Sequence, residues 1–275
     1  MSFSIEKIVG LLESLAPLNL AEGWDNPGLQ VGSYDYGVET ILFSLDPSPE
    51  AIDKASLLGP TLLVTHHPLI FKPLKRLDTS KGAGRLVSMA IERGLTIYSL
   101  HTNLDSALKG LNYFLATRFG IGDLRPLEPQ KEDPKVGMGR CGRIKPVSFD
   151  LLLKRVSEVL AMPFLRFVRP KVEAVEHIAV VAGSGGSYIE RAYEEGSQVL
   201  FTGDVGYHHY LLAKDLGIGV VDITHHASEE LAFRDFAYEV SNVLNDNGIC
   251  VQIEYLYRNS PPFERKGFDN ITTEI

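Results

Sequence analysis

Apolar residues recur at helical spacing near the start of the chain. They fall on one face of a helix, and Glu6, Lys7 and Glu13 interrupt the opposite face. Pro17 lacks the backbone N–H that a continuing helix needs. The pattern therefore predicts an amphipathic helix that ends before Pro17 and places on its apolar face Ile5, Ile8, Val9, Leu12 and Leu15.

Two later segments, 41–67 and 178–204, share one order of patterns and align without gaps. Each has a strand-like apolar run, a turn-rich loop, a helical stretch and a second apolar run that reaches a Thr. A further helical stretch and strand follow, through 94–105 and 217–229. This order predicts an α/β fold of two similar lobes with βαβ units. Internal duplication and the general likeness of βαβ units both remain open as its origin.

The segment between these patterns is rich in Pro, Gly and charged residues, which is typical of a connector. We therefore predict an N-terminal α/β lobe at 1–124, a connector at 125–143 and a C-terminal α/β lobe at 144–275. Ligands of open α/β sheets bind beyond the carboxyl ends of the strands. Candidate site residues are expected at those ends.

Composition narrows the class of protein only slightly. The chain has 275 residues, of which 44% are hydrophobic and 23% charged, as in ordinary globular proteins. Its formal charge of −8 disfavours general nucleic-acid binding, since phosphates attract clustered Lys and Arg. Cys141 and Cys250 are too few for a disulfide framework and lack zinc-type spacing. With no signal-peptide pattern and no long apolar run, we predict a cytoplasmic protein without a membrane span.

Histidines follow the predicted strands. Apart from His177, every histidine lies just after an apolar run or in the segment that follows one: His66, His67, His101, His208, His209, His225 and His226. Taken singly, each is more often an ordinary polar residue than a ligand. However, His101 with Asp105 and His225 with Glu229 are spaced so that a helical turn brings both side chains to one face. Each pair predicts a converging imidazole and carboxylate.

Two adjacent histidines end the apolar run 62–65 and precede Pro68. Neighbouring side chains at a strand end point apart, so His66 and His67 suit two adjacent metal ions better than one. Imidazoles and carboxylates without a thiolate favour zinc, iron, manganese or cobalt. The sequence does not choose among these metals.

Six motifs carry a family resemblance. In chain order they are EGWDNPGLQVG (22–32), THHPLIF (65–71), YSLHTNLDSA (98–107), GMGRCGRI (137–144), TGDVGYHH (202–209) and HHASEE (225–230). Together they closely resemble the NGG-interacting factor three-like family, whose bacterial members are often labelled GTP cyclohydrolase I type 2 homologues. The resemblance runs nearly end to end.

The resemblance implies two divalent metal ions between the lobes. The matching ligands are His66, His67, Asp105, His225 and Glu229, with Glu229 bridging both ions. Where the family usually has Gly-His, this chain has Thr224-His225 followed by His226, so either histidine could coordinate; the spacing to Glu229 favours His225.

Other matching positions are assigned more weakly. His101 and His208 would orient ligands or contact substrate, or else be ordinary polar residues at strand ends. Trp24, Asp25 and Asn26 are predicted to fix the N-terminal turn, with a direct role at the site as the alternative. The family's ring-shaped homohexamer, a trimer of dimers, is expected here by resemblance alone.

The implied ligand set predicts a function. Three neutral imidazoles and two carboxylates leave two divalent ions with a net positive charge and open positions, which suits a small anionic ligand. We predict a dinuclear metal-dependent hydrolase acting on a small nucleotide-like or phosphorylated substrate, GTP cyclohydrolase I type 2-like by resemblance. The alternative is a metal-binding regulatory or interaction protein without catalysis. A substrate-sized pocket over the ions would favour the enzyme.

Overall fold

The structure is a computed structural model, and it describes residues 2–257. The elements of its first half are β1 (Phe3–Ser4), α1 (Ile5–Leu15), β2 (Gly28–Val31), β3 (Gly37–Val38), β4 (Thr40–Ser44), α2 (Pro49–Leu57), β5 (Thr61–Thr65), α3 (Gly82–Glu92), β6 (Thr96–Ser99), α4 (Thr102–Ser106) and α5 (Leu111–Arg118). The predicted N-terminal helix is confirmed as α1, whose first turn is capped by the Ser4 hydroxyl accepting from the N–H of Lys7.

The second half continues the alternation of strands and helices. Its elements are β7 (Gly122–Arg125), β8 (Glu128–Pro129), β9 (Gly137–Met138), β10 (Arg140–Ser148), α6 (Phe149–Val159), β11 (Arg166–Val168), β12 (Ala174–Ser184), α7 (Ile189–Glu194), β13 (Val199–Gly203), α8 (Tyr207–Leu216), β14 (Gly219–Asp222), α9 (His225–Asp246) and β15 (Gln252–Leu256). Short 3₁₀ helices span Leu18–Leu20 and Gly186–Tyr188.

Two mixed sheets form the framework. The first has the order β15-β4-β5-β6-β2, parallel except for β2 at one edge. The second has the order β11-β14-β13-β12-β10-β7, in which β12, β13 and β14 are parallel and the other pairings are antiparallel. The predicted βαβ units are confirmed as β4-α2-β5 and β12-α7-β13. The α/β fold class is thus the one that the sequence predicts.

Sheet membership crosses the lobe boundaries drawn from the sequence. β7 pairs with β10 in the second sheet, and β15 returns from the C-terminal part to pair with β4 in the first. The predicted connector holds β8 and β9, which pair with each other. The division at residues 124 and 144 stays a prediction. Strand exchange ties the two sheets more closely than a linker between independent lobes would.

One apolar core joins the two sheets. Helices α1, α5, α6 and α9 contribute side chains to it together with the facing sides of both sheets, whereas α2 and α3 cover the outer face of the first sheet and α7 and α8 that of the second. Phe233 of α9 packs edge-to-face on Phe43 of β4 with ring centroids 5.7 Å apart. Because α9 is wedged between the sheets, its first turn is held at their common end.

Within residues 2–257, no helix combines the length and the apolar character that crossing a membrane requires.

Candidate metal centre

The site lies where parallel strands of the first sheet end. β5 stops at Thr65, so His66 and His67 follow it directly, and β6 leads through His101 into α4, which carries Asp105. From the second sheet, β14 leads into the first turn of α9. The histidines therefore lie at the carboxyl ends of strands, as the sequence predicts.

His66 is fully buried and oriented as a ligand. Its Nδ1 lies 2.8 Å from the carbonyl oxygen of Leu100, so Nδ1 carries the proton and Nε2 presents a lone pair. Nε2 has no hydrogen-bond partner, although it lies 3.5 Å from Glu229 Oε1 and 3.9 Å from Asp105 Oδ1. Burial lowers the pKa of His66 to about 4, against the opposing charge of Glu229. The imidazole is neutral at physiological pH, which metal coordination requires.

His67 and His225 repeat this arrangement from opposite sides. His67 Nδ1 lies 2.8 Å from Asp46 Oδ1, and His225 Nδ1 lies 2.8 Å from Asp204 Oδ2. Their Nε2 atoms face each other at 3.3 Å. Carboxylates that hold Nδ1 are the usual partners of metal-binding histidines, because they fix both tautomer and ring orientation. Sequence reasoning missed Asp46 and Asp204, because each lies 21 residues from the histidine that it contacts and spacing alone does not connect them.

Glu229 lies between the histidines and is almost fully buried. Its Oε1 faces His66 at 3.5 Å, and its Oε2 lies 3.2 Å from His67 Nε2 and 3.1 Å from His225 Nε2. Burial raises the pKa of this carboxyl, but the charge of His67 and the hydrogen bond with His225 outweigh burial and hold it well below its usual range. One carboxylate thus offers an oxygen to each side.

Asp105 lies beside His66 in the cluster. Burial and the charge of Glu229 raise the pKa of Asp105 well above its usual range. Its Oδ1 is buried without a hydrogen-bond partner, as is the nearby His66 Nε2. Two unsatisfied buried ligand atoms 3.9 Å apart are costly unless something binds them. A cation between them would satisfy both.

The sequence predicts that His101 orients ligands, contacts substrate or is an ordinary polar residue. In the structure it lies within the cluster itself. Its ligand atom and those of His66 and His67 all lie within 4.8 Å of one another. Asp25 Oδ1 lies 2.7 Å from His101 Nδ1, while Asp25 Oδ2 accepts from the N–H of Thr102 at 3.0 Å. Burial raises the pKa of Asp25, but the hydrogen bonds from His101 and Thr102 outweigh it and lower the pKa to about 2. Asp25 therefore orients His101, which is a direct role at the site.

Two other candidate histidines lie elsewhere. His226 Nε2 is 3.8 Å from Glu230 Oε2, one residue along α9, whereas His225 faces Glu229. His208 is exposed on α8 with its ring 5.5 Å from that of Tyr207. Among residues 2–257, groups of three ligand atoms within 4.8 Å are His66, His67, His101 and His67, His225, Glu229. His208 and His226 are in neither group.

The donor set fits a metal ion. Two ligands about 2.0–2.1 Å from one tetrahedral ion lie about 3.3–3.4 Å apart. The separation between His67 Nε2 and His225 Nε2 is 3.3 Å. With both Nδ1 protons directed to carboxylates, the two Nε2 lone pairs repel each other unless a proton or a metal ion lies between them. Nitrogen and oxygen donors favour a divalent transition metal.

Two glycines leave room for Glu229 and for the first residue of α9. Gly183 is the last buried residue of β12 and has a φ of +68°, and a Cβ there would lie 2.3 Å from Glu229 Oε1. Gly203 ends β13, and its Cβ would lie 2.3 Å from the backbone nitrogen of His225. A side chain at either position would displace Glu229 or the backbone at the start of α9. The sequence pattern gave no signal for these contacts.

Thr224 begins α9 with a strained backbone. Its φ of 59° and ψ of 149° lie in a region that essentially only glycine adopts without cost. Its hydroxyl accepts from the N–H of Ala227 at 3.4 Å, and its own N–H donates to Asp222 Oδ1 at 3.0 Å. These contacts hold the residue that precedes His225. The resemblance places glycine here, which matches the conformation.

A cavity of about 500 Å³ opens beside the cluster. His67, His225, Asp46 and Asp204 lie on its wall together with Leu45, Met162, Phe164, Leu165, Arg166, Asp222, Thr224 and His226. Ligand pockets of small molecules have volumes of about 300–1,000 Å³. A small molecule can therefore reach the side of the cluster that His67 and His225 form.

Fold and site define an α/β protein with a buried histidine and carboxylate cluster at the carboxyl ends of its strands. Residues 3–261 match the family Duf34/NIF3 (NGG1p interacting factor 3), and the chain belongs to this family.

Curated relatives and solved structures agree with this membership. The "GTP cyclohydrolase 1 type 2 homolog" of Clostridium perfringens is 33% identical over 82% of this chain and 86% of its own length. The "GTP cyclohydrolase 1 type 2" of Helicobacter pylori is 32% identical over 91% of this chain and 95% of its own length. The crystal structure of Staphylococcus aureus protein SA1388 superposes with a TM-score of 0.89 at 26% identity and covers 96% of this chain and 99% of that one.

Proposed function

We propose that the protein is a dinuclear metal-dependent hydrolase that acts on a small nucleotide-like or phosphorylated substrate. The observation that carries this proposal is the cavity of about 500 Å³ beside His67 and His225. A structural metal site is closed by protein ligands, whereas a catalytic site keeps positions open for water or substrate. Access from the cavity supports the catalytic reading.

The position of Glu229 supports two ions. Its Oε1 is directed to the side of His66 and Asp105, and its Oε2 to the side of His67 and His225. We assign one ion to each side, with Glu229 as the shared ligand and His101 as a further ligand beside His66. Histidines and carboxylates alone leave such a pair of ions short of full coordination.

The surrounding residues would hold the ligands and control solvent. Asp46 and Asp204 keep the Nδ1 protons of His67 and His225, so that both Nε2 lone pairs stay available. When bound, two divalent ions would lower the pKa of a coordinated water and polarise a phosphoryl or carbonyl oxygen. Leu45, Met162 and Phe164 would limit the water around a bound substrate. The ions would also attract an anion to an otherwise acidic chain.

The names of the relatives suggest which substrates to test. Two curated relatives are named for GTP cyclohydrolase activity or homology to it. We propose GTP as one candidate substrate, alongside other nucleotides, phosphoesters and cyclic amides. These share a bond that hydrolysis can cleave after activation of a water.

The experiment is a turnover screen of protein reconstituted separately with zinc, manganese, iron or cobalt. We expect hydrolysis of at least one compound class, and we expect Glu229→Gln to lose it because the shared ligand is altered. Arg125→Gln, an exposed substitution on β7, is the control and should keep full turnover. Metal-loaded protein that hydrolyses nothing in the screen would contradict the proposal.

The origin of the ligands favours a second candidate function. His66, His67 and His101 follow strands of the first sheet, whereas His225 and Glu229 follow a strand of the second. Bound metal would therefore link both sheets and could serve a regulatory or interaction protein without catalysis. A large metal-dependent rise in melting temperature together with no turnover would support this function.

A further inference from the structure

The cavity beside the metal centre has a wall that the metal centre does not use. It is the segment 162–166, which leads from the end of α6 into the first residue of β11. From this segment the cavity is lined by Met162, Phe164, Leu165 and Arg166. Three of these side chains are apolar and one is a cation. Because they share one cavity with His67 and His225, a ligand bound at the metal centre can contact them.

Phe164 is unusually exposed for a large apolar side chain. Its relative exposure is 78%, and it takes part in no ring pair among the aromatic contacts of the described chain. Exposing a phenyl ring to water loses the stabilisation that burial would give. A bare ring on a cavity wall is a suitable platform for a planar ligand, since aromatic faces stack.

The guanidinium of Arg166 donates to Asp222 and has further N–H donors for a ligand. Its Nη2 donates to Asp222 Oδ2 at 2.5 Å, and its side chain remains 73% exposed. This contact occupies one of the five N–H donors of a guanidinium. The remaining donors can form a bidentate contact with a carboxylate or phosphate.

Asp222 holds the Arg166 side chain in place. It is 3% exposed and also accepts from the hydroxyl of Tyr210 at 3.3 Å and from the N–H of Thr224 at 3.0 Å. A carboxylate held by two donors besides Arg166 is a fixed anchor for the guanidinium. Of the residues in the described chain that line this cavity, Arg166 alone is a Lys or Arg.

The other charged residues of the cavity determine where an anionic group of a ligand can bind. Asp46 and Asp204 lie on the same wall as His67 and His225 and would repel an anion placed beside them. Asp222, the remaining carboxylate of the lining, is paired with Arg166 and offsets part of its charge. A second anionic group of a ligand therefore gains most from the N–H donors of Arg166 that this pair does not occupy. The cavity therefore distinguishes ligands by the position of their charge.

We infer that the ligand of this cavity is a planar aromatic ring that carries an anionic group separate from its metal-binding end. Phe164 stacks on the ring, and Arg166 binds the anionic group. The inference rests on the proposed function, because it places the reacting end of the ligand at the metal centre. It adds the two residues that select the rest of the molecule.

Binding of three small probes to zinc-loaded protein tests this inference. Methylphosphonate has only the metal-binding end, phenylphosphonate adds the ring, and 4-carboxyphenylphosphonate adds the second anion. By calorimetry we expect the ring to improve affinity about fivefold, as stacking does at exposed sites. We expect the carboxylate to improve it about threefold to fivefold more, which is typical of an exposed ion pair.

Variants assign each gain to its residue. Phe164→Ala should remove the gain between methylphosphonate and phenylphosphonate, and Arg166→Gln only the gain from the carboxylate. The matched controls are Tyr238→Ala, which removes an exposed ring from α9, and Arg125→Gln, which breaks an exposed ion pair with Glu195. Both controls should keep both gains. Metal content and melting temperature verify that each variant is folded and loaded.

The outcomes separate this inference from the proposed function. Equal affinity for all three probes, or gains that survive in Phe164→Ala and Arg166→Gln, would overturn the inference even if the protein hydrolyses a substrate. Gains that the two variants remove would support it even if the turnover screen finds no activity. Loss of the carboxylate gain in Arg125→Gln as well would also overturn it, because a general charge effect would then explain the binding.

Discussion

The Nε2 atoms of His67 and His225 lie 3.3 Å apart, although 158 residues separate the two histidines in sequence. Each ring is fixed from behind by a carboxylate on Nδ1. The contact joins the end of a strand in the first sheet to the first turn of α9 after the second sheet. Folding therefore assembles the cluster from both sheets.

Gly183→Ala should impair metal binding without changing any ligand. The added Cβ would lie 2.3 Å from Glu229 Oε1, so the carboxylate must move. We expect metal affinity to fall at least tenfold, as loss of groups that orient ligands typically costs 10–100-fold. Competition with a fluorescent chelator measures this. Gly196→Ala is the control, because it has a similar positive φ and open space around it; an equal loss in that variant would contradict the explanation.

Metal binding should release protons and strengthen as pH rises. In the metal-free protein, burial lowers the pKa of both His67 and His225, but Glu229 and the carboxylates on Nδ1 outweigh it and raise the values to about 10 and about 9. Coordination needs both rings deprotonated, so metal binding should release at least one proton at pH 7. Calorimetry in buffers of different ionisation enthalpy counts the protons released. Release of no proton would contradict the protonated state.

The same pKa values predict how the metal-free protein responds to pH. A histidine whose folded pKa is raised stabilises fully below its unfolded value near 6.5, and this stability is lost as pH rises through the folded value. Asp105 acts in the same direction above pH 6.5, because its raised pKa also favours the protonated form in the folded protein. The free energy of unfolding of the metal-free protein should therefore fall from pH 6.5 to 10. Denaturant titrations across this range measure the change, and a steady rise toward pH 10 would contradict it.

Thr224→Gly should stabilise the metal-free protein, whereas Thr224→Ala should destabilise it. Glycine relieves backbone strain of about 1–3 kcal/mol and loses a few tenths from the helix cap, besides its own entropy cost of about 0.5–1 kcal/mol. Alanine keeps the strain and loses the cap, about 1 kcal/mol. Urea unfolding of the two variants measures the difference, and a glycine variant less stable than the alanine variant would contradict the strain.

The ring-shaped homohexamer stays a prediction of the family resemblance. Light scattering at micromolar concentration should then give about six times the chain mass of 30.4 kDa. A mass equal to one chain would end this expectation.

Much of the fold and part of the site could be predicted from local patterns. Period and turn residues predicted α1 and both βαβ units, because each depends on residues near in sequence. The spacing of His225 and Glu229 likewise predicted a pair that one helical turn brings together. Strand β15 was not predicted to join the first sheet, since its partner β4 lies far back in the chain.

The other contacts of the site could not be predicted, because only the folded chain brings these residues to the histidines. The sequence indicates a direct role for Asp25 only as an alternative and indicates none for Asp46 or Asp204. These three carboxylates hold His101, His67 and His225, and each lies 21 or more residues from its partner. Their sequence surroundings resemble ordinary turns. Gly183 could not be predicted either. Only the folded chain shows that Glu229, on α9, leaves no room for a side chain at this position.

The metal content of the purified, reconstituted protein tests the dinuclear site most directly. Elemental analysis should find two transition-metal ions per chain. His66→Ala and His225→Ala should each retain about one, because they alter different sides of Glu229, while Glu229→Gln should lose most of both. Two ions retained by Glu229→Gln, or a single ion in the unaltered protein under saturating metal, would contradict the shared carboxylate and the two-ion site.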